Sequence, residues 1–349
     1  MMAAPKMDDR YFEAANLNKD GFDIAQMQLP WCESPFFEEL LARSNLSEAQ
    51  KKFLRDFSAQ GFAVIDPEIA EIDQYADEIR NVLFEGKTEP TRIQDAWQSH
   101  NSAPVKAIAL APKVLELLQL IYQREPVPFQ TLNFPVGTQQ NTHSDTVHFD
   151  SFPQRFMCGV WVALEDIDAD NGPLQYFPGS HKLPLYDVHS IGLRSTKMNG
   201  DVYSKEETRE NYLIYEQFVA KLMEAHGFVR KELHIKKGQA LIWSANLFHG
   251  GSPIRDPKRT RMSQVTHYYF RDCAYYTPVM SDKIIGRTFW RSHITHIGTG
   301  EIMPQTYLGQ IMTPRVELDG PYTPPIPGIR AQSRQLARSL MDRLLRKKS

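Results

Sequence analysis

Hydrophobic positions recur at two spacings along this chain, and the change between them divides it. Between Ser47 and Tyr122 the spacing is helical. Ser47-Glu48-Ala49-Gln50 forms a capping box, Phe53, Leu54 and Phe57 share one face, and Gly61 ends the helix. Phe62-Ala63-Val64-Ile65 reads as a short strand. Asp66-Pro67 predicts the start of a second helix, with Ile69, Ile72, Tyr75, Ile79, Val82 and Leu83 at helical intervals, and a third is predicted over Pro112 to Tyr122. From Pro126 onward, short β-branched and aromatic runs are punctuated by Gly, Pro and Asn. The predicted strands are 128–134, 156–164, 174–177, 232–235, 239–244 and 262–270. Such a pattern predicts a mainly β fold with helices: a cupin-like jelly roll, or double-stranded β-helix, with the N-terminal helices packed on one sheet.

Around this core the expected organisation is an N-terminal arm over 1–45, where no period is visible, and a jelly-roll domain over 46–278. A C-terminal extension over 279–349 packs on the same domain. An insertion over 183–230 carries a helical segment from Glu206 to Ala225, placed to act as a lid or simply to cover surface. The stretch from Pro304 to Pro327 reads as an extended strap. A terminal helix follows, ending in Arg343-Leu344-Leu345-Arg346-Lys347-Lys348.

The chemistry is suggested by His143-Ser144-Asp145 and a distant His249. Two imidazoles and one carboxylate make the facial triad that holds a non-haem Fe(II) and leaves coordination positions open. On a strand, side chains at i and i+2 point the same way, so His143 and Asp145 are expected to grip one metal from one element, with His249 arriving from a neighbouring strand. A second pair, His148 and Asp150, competes for the role. Strand alternation prevents both pairs from addressing one metal.

The text from Thr138 to His181 resembles the phytanoyl-CoA hydroxylase and ectoine hydroxylase group of Fe(II)/2-oxoglutarate oxygenases. The resemblance is carried by Gly137-Thr138-Gln139-Gln140 before the HxD motif, Trp161 within Gly159 to Leu164, Asn171-Gly172-Pro173-Leu174, and Pro178-Gly179-Ser180-His181. It covers roughly positions 57 to 270. The family spacing from histidine to tryptophan strand fits His143 and is too short from His148, so the resemblance implies His143, Asp145 and His249 as iron ligands. It implies Fe(II), 2-oxoglutarate and O2 as cofactor and cosubstrates. Arg261 is the chosen anchor for the 2-oxoglutarate carboxylate, with Ser263 beside it at i+2. Arg259 is the rival, although Asp256-Pro257-Lys258-Arg259 reads more readily as a solvated turn. Asn133 resembles an asparagine that helps to hold 2-oxoglutarate in ectoine hydroxylases, and Ser252 matches a serine that follows the distal histidine. Gln140 is a candidate substrate or cosubstrate contact, Trp161 a core or wall residue, and His181 a structural turn residue. His267 is assigned to the face opposite Arg261 and Ser263.

The implied reaction is hydroxylation of a small molecule with decarboxylation of 2-oxoglutarate to succinate. Related halogenases lack the carboxylate that Asp145 supplies. Desaturation, cyclisation or epimerisation with the same cofactors is the runner-up, and a non-catalytic binding protein on the same barrel is the alternative from another class.

Composition narrows the remaining classes. With 42% hydrophobic and 23% charged residues and a net charge of −2, the chain has material for a core and no polyelectrolyte character, so nucleic acid is not an expected partner. Cys32, Cys158 and Cys273 stand far apart with no metal-knuckle spacing. No apolar run is long enough for a membrane span, and the start lacks a signal-like segment. A reduced, cytoplasmic protein is expected. Asp166 to Gly172 resembles a calcium loop but fails at the glycine and glutamate positions, leaving a solvated turn.

Overall fold

The computed structural model describes residue 24, residues 28–87, 89, 91–195, 204–282, 284, 286–307 and 310–312. The helices are α1 (Phe37–Arg43), α2 (Glu48–Gln60), α3 (Ile72–Ile79), α4 (Ala96–Ser99), α5 (Ala103–Ala109), α6 (Pro112–Tyr122) and α7 (Lys205–Ala225). The strands are β1 (Phe62–Ile65), β2 (Ile93–Gln94), β3 (Pro126–Phe134), β4 (Asp150–Phe152), β5 (Met157–Ala163), β6 (Leu174–Tyr176) and β7 (Lys231–Glu232). They continue with β8 (Ala240–Ser244), β9 (His249–Gly251), β10 (Ser263–Phe270), β11 (Ala274–Tyr276), β12 (Gln305–Tyr307) and β13 (Gln310–Met312).

The large sheet runs β1-β8-β5-β10-β3-β2 and a smaller one β7-β6-β9, with antiparallel pairing throughout. Alternation decides what each face of the large sheet meets. Cys158, Val160, Val162, Ala240 and Ile242 join Leu54, Phe57, Ile79, Val105, Val114 and Leu118 in one core, so the helices cover the outer face. Trp161, Ala163, Leu241, Trp243 and Val265 on the opposite face pack with Leu174 and Tyr176 of the small sheet. With both faces covered, all seven residues of β5 are buried. That explains why its sequence is continuously apolar rather than alternating. Each fully buried Leu or Ile in these layers contributes about 1.5–3 kcal/mol relative to exposure.

Local signals account for most element ends. Ser47 and Gln50 form the reciprocal capping box of α2, and Gly61 closes it in the left-handed conformation at φ 79°. The helix predicted from Asp66 begins instead at Ile72. The Asp66 carboxylate accepts from the Glu68 amide, and Glu68 has φ 56°, a turn that a helix cannot cross. α3 then runs into a π-helical turn over Arg80–Phe84. Its wider winding rotates the apolar face, so Leu83 and Phe84 are buried while Val82 points outward.

The segment expected to be an aperiodic arm contains α1 and a 3-10 turn over Trp31–Glu33. Cys32, Phe37 and Leu41 enter the main core. Beyond β11, Ile294 and Met303 join the same core. The predicted strand over 232–235 is shorter than expected: β7 is two residues long, and Ile235 only bridges Ile167. The predicted terminal helix and most of the proline strap lie outside the described residues.

Candidate active site

His143 and His249 face each other across an isolated antiparallel bridge. Each amide donates to the other's carbonyl at 2.9 Å. Asp145 reaches the same point differently from the strand alternation expected of an HxD motif. Ser144 accepts from the Thr146 amide and caps a 3-10 turn over Asp145–Val147, so the carboxylate is delivered by a turn rather than by a strand. Asp145 Oδ1 lies 3.7 Å from Nε2 of His143 and 3.7 Å from Nε2 of His249. One ligand atom from each of the three falls within 4.8 Å of the others, and all three residues are buried.

Protonation favours the unprotonated Nε2 that a metal needs. His143 Nδ1 donates to the Asn141 carbonyl and His249 Nδ1 to the Leu247 carbonyl, both at 2.9 Å. A carbonyl only accepts, so the proton of each neutral ring sits on Nδ1, and the Nε2 lone pair faces Asp145. Burial holds both imidazoles down to about 4, with the neighbouring His249 adding to the effect on His143. The carboxylate has its own support: Trp243 Nε1 donates to Asp145 Oδ2 at 2.8 Å in a buried contact. Gly250 is required beside this bridge because an added Cβ would stand 2.7 Å from the Gln140 carbonyl oxygen.

These residues open onto a cavity of about 670 Å³, also lined by Arg92, Gln140, His148, Phe149, Trp161, Tyr212, Arg261, His267 and Arg291. Arg261 is buried, with its guanidinium 5.5 Å from the Trp161 ring and its Nε without a hydrogen-bond partner. Burial lowers it to about 10, which leaves it cationic at neutral pH. The rival Arg259 lies outside the cavity, where it pairs with Asp168 at 2.8 Å. Ser263 and Ser252 are buried with hydroxyls that have no partner.

Two expectations are corrected. Asn133 does not face the cavity: its amide donates to Gln264, which in turn donates to the Val105 carbonyl of α5. The cavity-facing positions of β3 are Gln130, Leu132 and Phe134, one register off. His267 was assigned to the far face, yet its Nε2 lies 3.9 Å from Asp145 Oδ2. Positions 261, 263 and 267 differ by even numbers, so alternation puts them on one side.

The second pair separates. His148 lines the cavity with its ring 4.8 Å from Tyr212, while Asp150 accepts from the Ser151 and Arg155 amides and from Tyr276. Gln140 bridges Arg92 Nη2 at 3.2 Å and His143 Nε2 at 3.3 Å. His181 is structural, bound to the Ser58 carbonyl. Phe149 lines the cavity, Phe156 is core and Phe152 is exposed.

Sequence reasoning missed Trp243, Arg92, Tyr212 and Arg291. Trp243 alone carried a local signal, because Leu241 and Trp243 alternate onto the face that β8 shares with Trp161.

A family model described as phytanoyl-CoA dioxygenase matches residues 57–263, more than half of the chain. Phytanoyl-CoA dioxygenase domain-containing protein 1 of Mus musculus is 30% identical over 110 residues, covering 30% of this chain and 37% of that protein. The Danio rerio protein of the same name is 32% identical over 80 residues, covering 22% of this chain and 28% of its own length. The alignments thus span roughly a third of these curated relatives. Among solved structures, the non-heme alpha ketoglutarate dependent epimerase SnoN from nogalamycin biosynthesis shares the fold, with TM-score 0.50 and 17% identity over 76% of this chain and 96% of that one. The model match, over the segment that carries both histidines and the carboxylate, establishes that this chain belongs to the phytanoyl-CoA dioxygenase family.

Proposed function

We propose that this protein is an Fe(II)- and 2-oxoglutarate-dependent dioxygenase that hydroxylates a small molecule, with its two facing sheets forming a jelly roll around the site. The convergence of His143, Asp145 and His249 supports this most directly. Their donor set suits ferrous ion, with two neutral nitrogens and one carboxylate on one side and a cavity on the other. The unpartnered Arg261 Nε and the Ser252 and Ser263 hydroxyls are the kind of buried polar groups that a bound dicarboxylate satisfies.

In this reading, His143 Nε2, Asp145 Oδ1 and His249 Nε2 hold the metal, and Arg261 receives the distal carboxylate of 2-oxoglutarate, assisted by Ser263 and Ser252. Together the iron, 2-oxoglutarate and O2 supply oxidation of an unactivated C–H bond, with succinate and carbon dioxide released. The protein positions and shields. Trp243 fixes the carboxylate that must remain unprotonated. Trp161 backs the arginine and keeps water from it. Tyr212, Thr208 and Arg209 of α7 line the cavity and support the reading of 183–230 as a lid.

The reading treats 46–278 as the catalytic domain, with 1–45 and 279–349 as extensions packed on it. Residues from both extensions in the main core favour that division. Three buried, unpaired cysteines suit a reducing, cytoplasmic setting. Among the described residues, no helix is long and apolar enough to cross a membrane.

The test is conversion of 2-oxoglutarate to succinate by the Fe(II)-loaded protein in air. Succinate should accumulate, with hydroxylated product once a substrate is supplied. Absence of succinate from folded, iron-loaded protein across a substrate screen would refute the proposal.

A further inference from the structure

The cavity has a second cationic locus besides Arg261. The lining includes Arg92, Arg209, Arg261 and Arg291, against Asp145 as the sole carboxylate among the described lining residues. Arg92 and Arg261 both sit about the Phe134 ring, at 5.9 and 6.0 Å. Arg291 sits elsewhere, 5.5 Å from the Phe129 ring and 4.8 Å from the Phe149 ring. Phe134 and Phe129 are five residues apart on β3, with a register shift between the residues opposite His267 and Tyr268, so the two guanidinium groups sit at separate points along the strand. Between them, His267 pairs with Gln130 and approaches Asp145. The candidate iron ligands therefore share one cavity with two separate guanidinium groups.

Arg291 is shaped as a fixed anion receptor. The two aromatic rings hold the guanidinium plane, and the backbone is tied by its amide to the Tyr275 carbonyl. Its polar contact within the described residues is a long one of 3.5 Å to Thr277 Oγ1, and its Nε has no partner. No described carboxylate pairs with it. Beside it, Phe149, Val279, Met280 and Phe289 give the cavity an apolar wall. Arg291 and Phe289 lie beyond residues 57–263, so family membership does not account for them.

We infer that the substrate is an organic carboxylate with an apolar body, its anionic group held by Arg291 and its chain lying along Phe149 and Phe289 toward the triad. This rests on the oxygenase reading and assigns the substrate class for the same cavity. A planar fork beside an apolar wall pairs a carboxylate bidentately and discriminates against a neutral isostere, which leaves the guanidinium unsatisfied.

The experiment measures binding by calorimetry to protein held under argon with Fe(II) and saturating 2-oxoglutarate. The probes are straight-chain and aryl-terminated carboxylic acids together with their primary amides. The best acid should bind at least about tenfold more tightly than its amide. Arg291→Gln should remove that preference by weakening the acid alone, and Arg291→Lys should restore part of it. Equal binding of acids and amides, no acid binding across the panel, or an acid preference that survives in Arg291→Gln would overturn the inference. Should Arg291→Gln not fold, the acid–amide comparison in the wild type still decides. Failure of the oxygenase reading is separately visible as absence of 2-oxoglutarate binding to the iron-loaded protein, whereas failure of this inference alone leaves that binding intact.

Discussion

Trp243 holds Asp145. The indole Nε1 donates to Oδ2 at 2.8 Å, which leaves Oδ1 equidistant from the two imidazole Nε2 atoms. Trp243→Phe keeps the ring beside His249, whose centroid is 4.9 Å away, but removes the donor. Loss of such a supporting contact typically costs about 10–100-fold in metal affinity. A competitive Fe(II) titration under argon should show that loss, and unchanged affinity would mean that the carboxylate is oriented by other contacts.

Gly159 makes room for the same indole. A Cβ at this position would stand 2.2 Å from Trp243 Cζ2, so Gly159→Ala forces the ring to move. The expected cost is about 1–3 kcal/mol of unfolding free energy from overpacking. A weaker iron site should accompany it. Denaturant unfolding and the same titration check both effects.

Arg261 and Arg259 make opposite predictions. Arg261→Gln should weaken 2-oxoglutarate binding by about 100-fold, from loss of a charge-assisted bidentate pair worth roughly 3 kcal/mol. Arg259→Gln, which breaks a surface pair with Asp168, should leave it unchanged. Equilibrium binding of 2-oxoglutarate to each variant distinguishes the two.

Acid should destabilise the fold through His181 even without metal. Burial lowers this imidazole from 6.5 to about 4, opposed by its bond to the Ser58 carbonyl. Above pH 6.5 it is neutral in both folded and unfolded chains. Between 6.5 and about 4 only the unfolded chain takes up the proton, so stability falls as pH falls through this window and levels off below it. The contribution is up to about 3 kcal/mol. Denaturant unfolding of metal-free protein across the window should show the decline, with a shallower slope in His181→Gln.

Legibility in the sequence followed the range of the determining contact. The capping box at Ser47 and the helix over Pro112–Tyr122 were readable because their signals lie within one turn of the element they control. The helix predicted from Asp66 failed on a turn in which an aspartate competes with helix capping, a choice that local sequence leaves balanced. At the site, the convergence of His143, Asp145 and His249 was readable, but the turn that delivers Asp145 was not, because a strand and a 3-10 turn can both follow the same three residues. Asn133 was misplaced by one position, which in a strand is the difference between cavity and helix layer. Arg291 and Arg92 left no local trace: their roles come from tertiary contacts with Phe149 and Gln140, 142 and 48 residues away in sequence respectively.

The central claim is that His143, Asp145 and His249 together hold ferrous ion in a form able to chelate 2-oxoglutarate. Absorption of the Fe(II)-loaded protein with 2-oxoglutarate under argon tests it most directly. The account predicts a weak visible charge-transfer band that is present in wild type and in His148→Ala and absent from His143→Ala and Asp145→Ala. Retention of the band in both of those variants, with its loss in His148→Ala, would contradict the account.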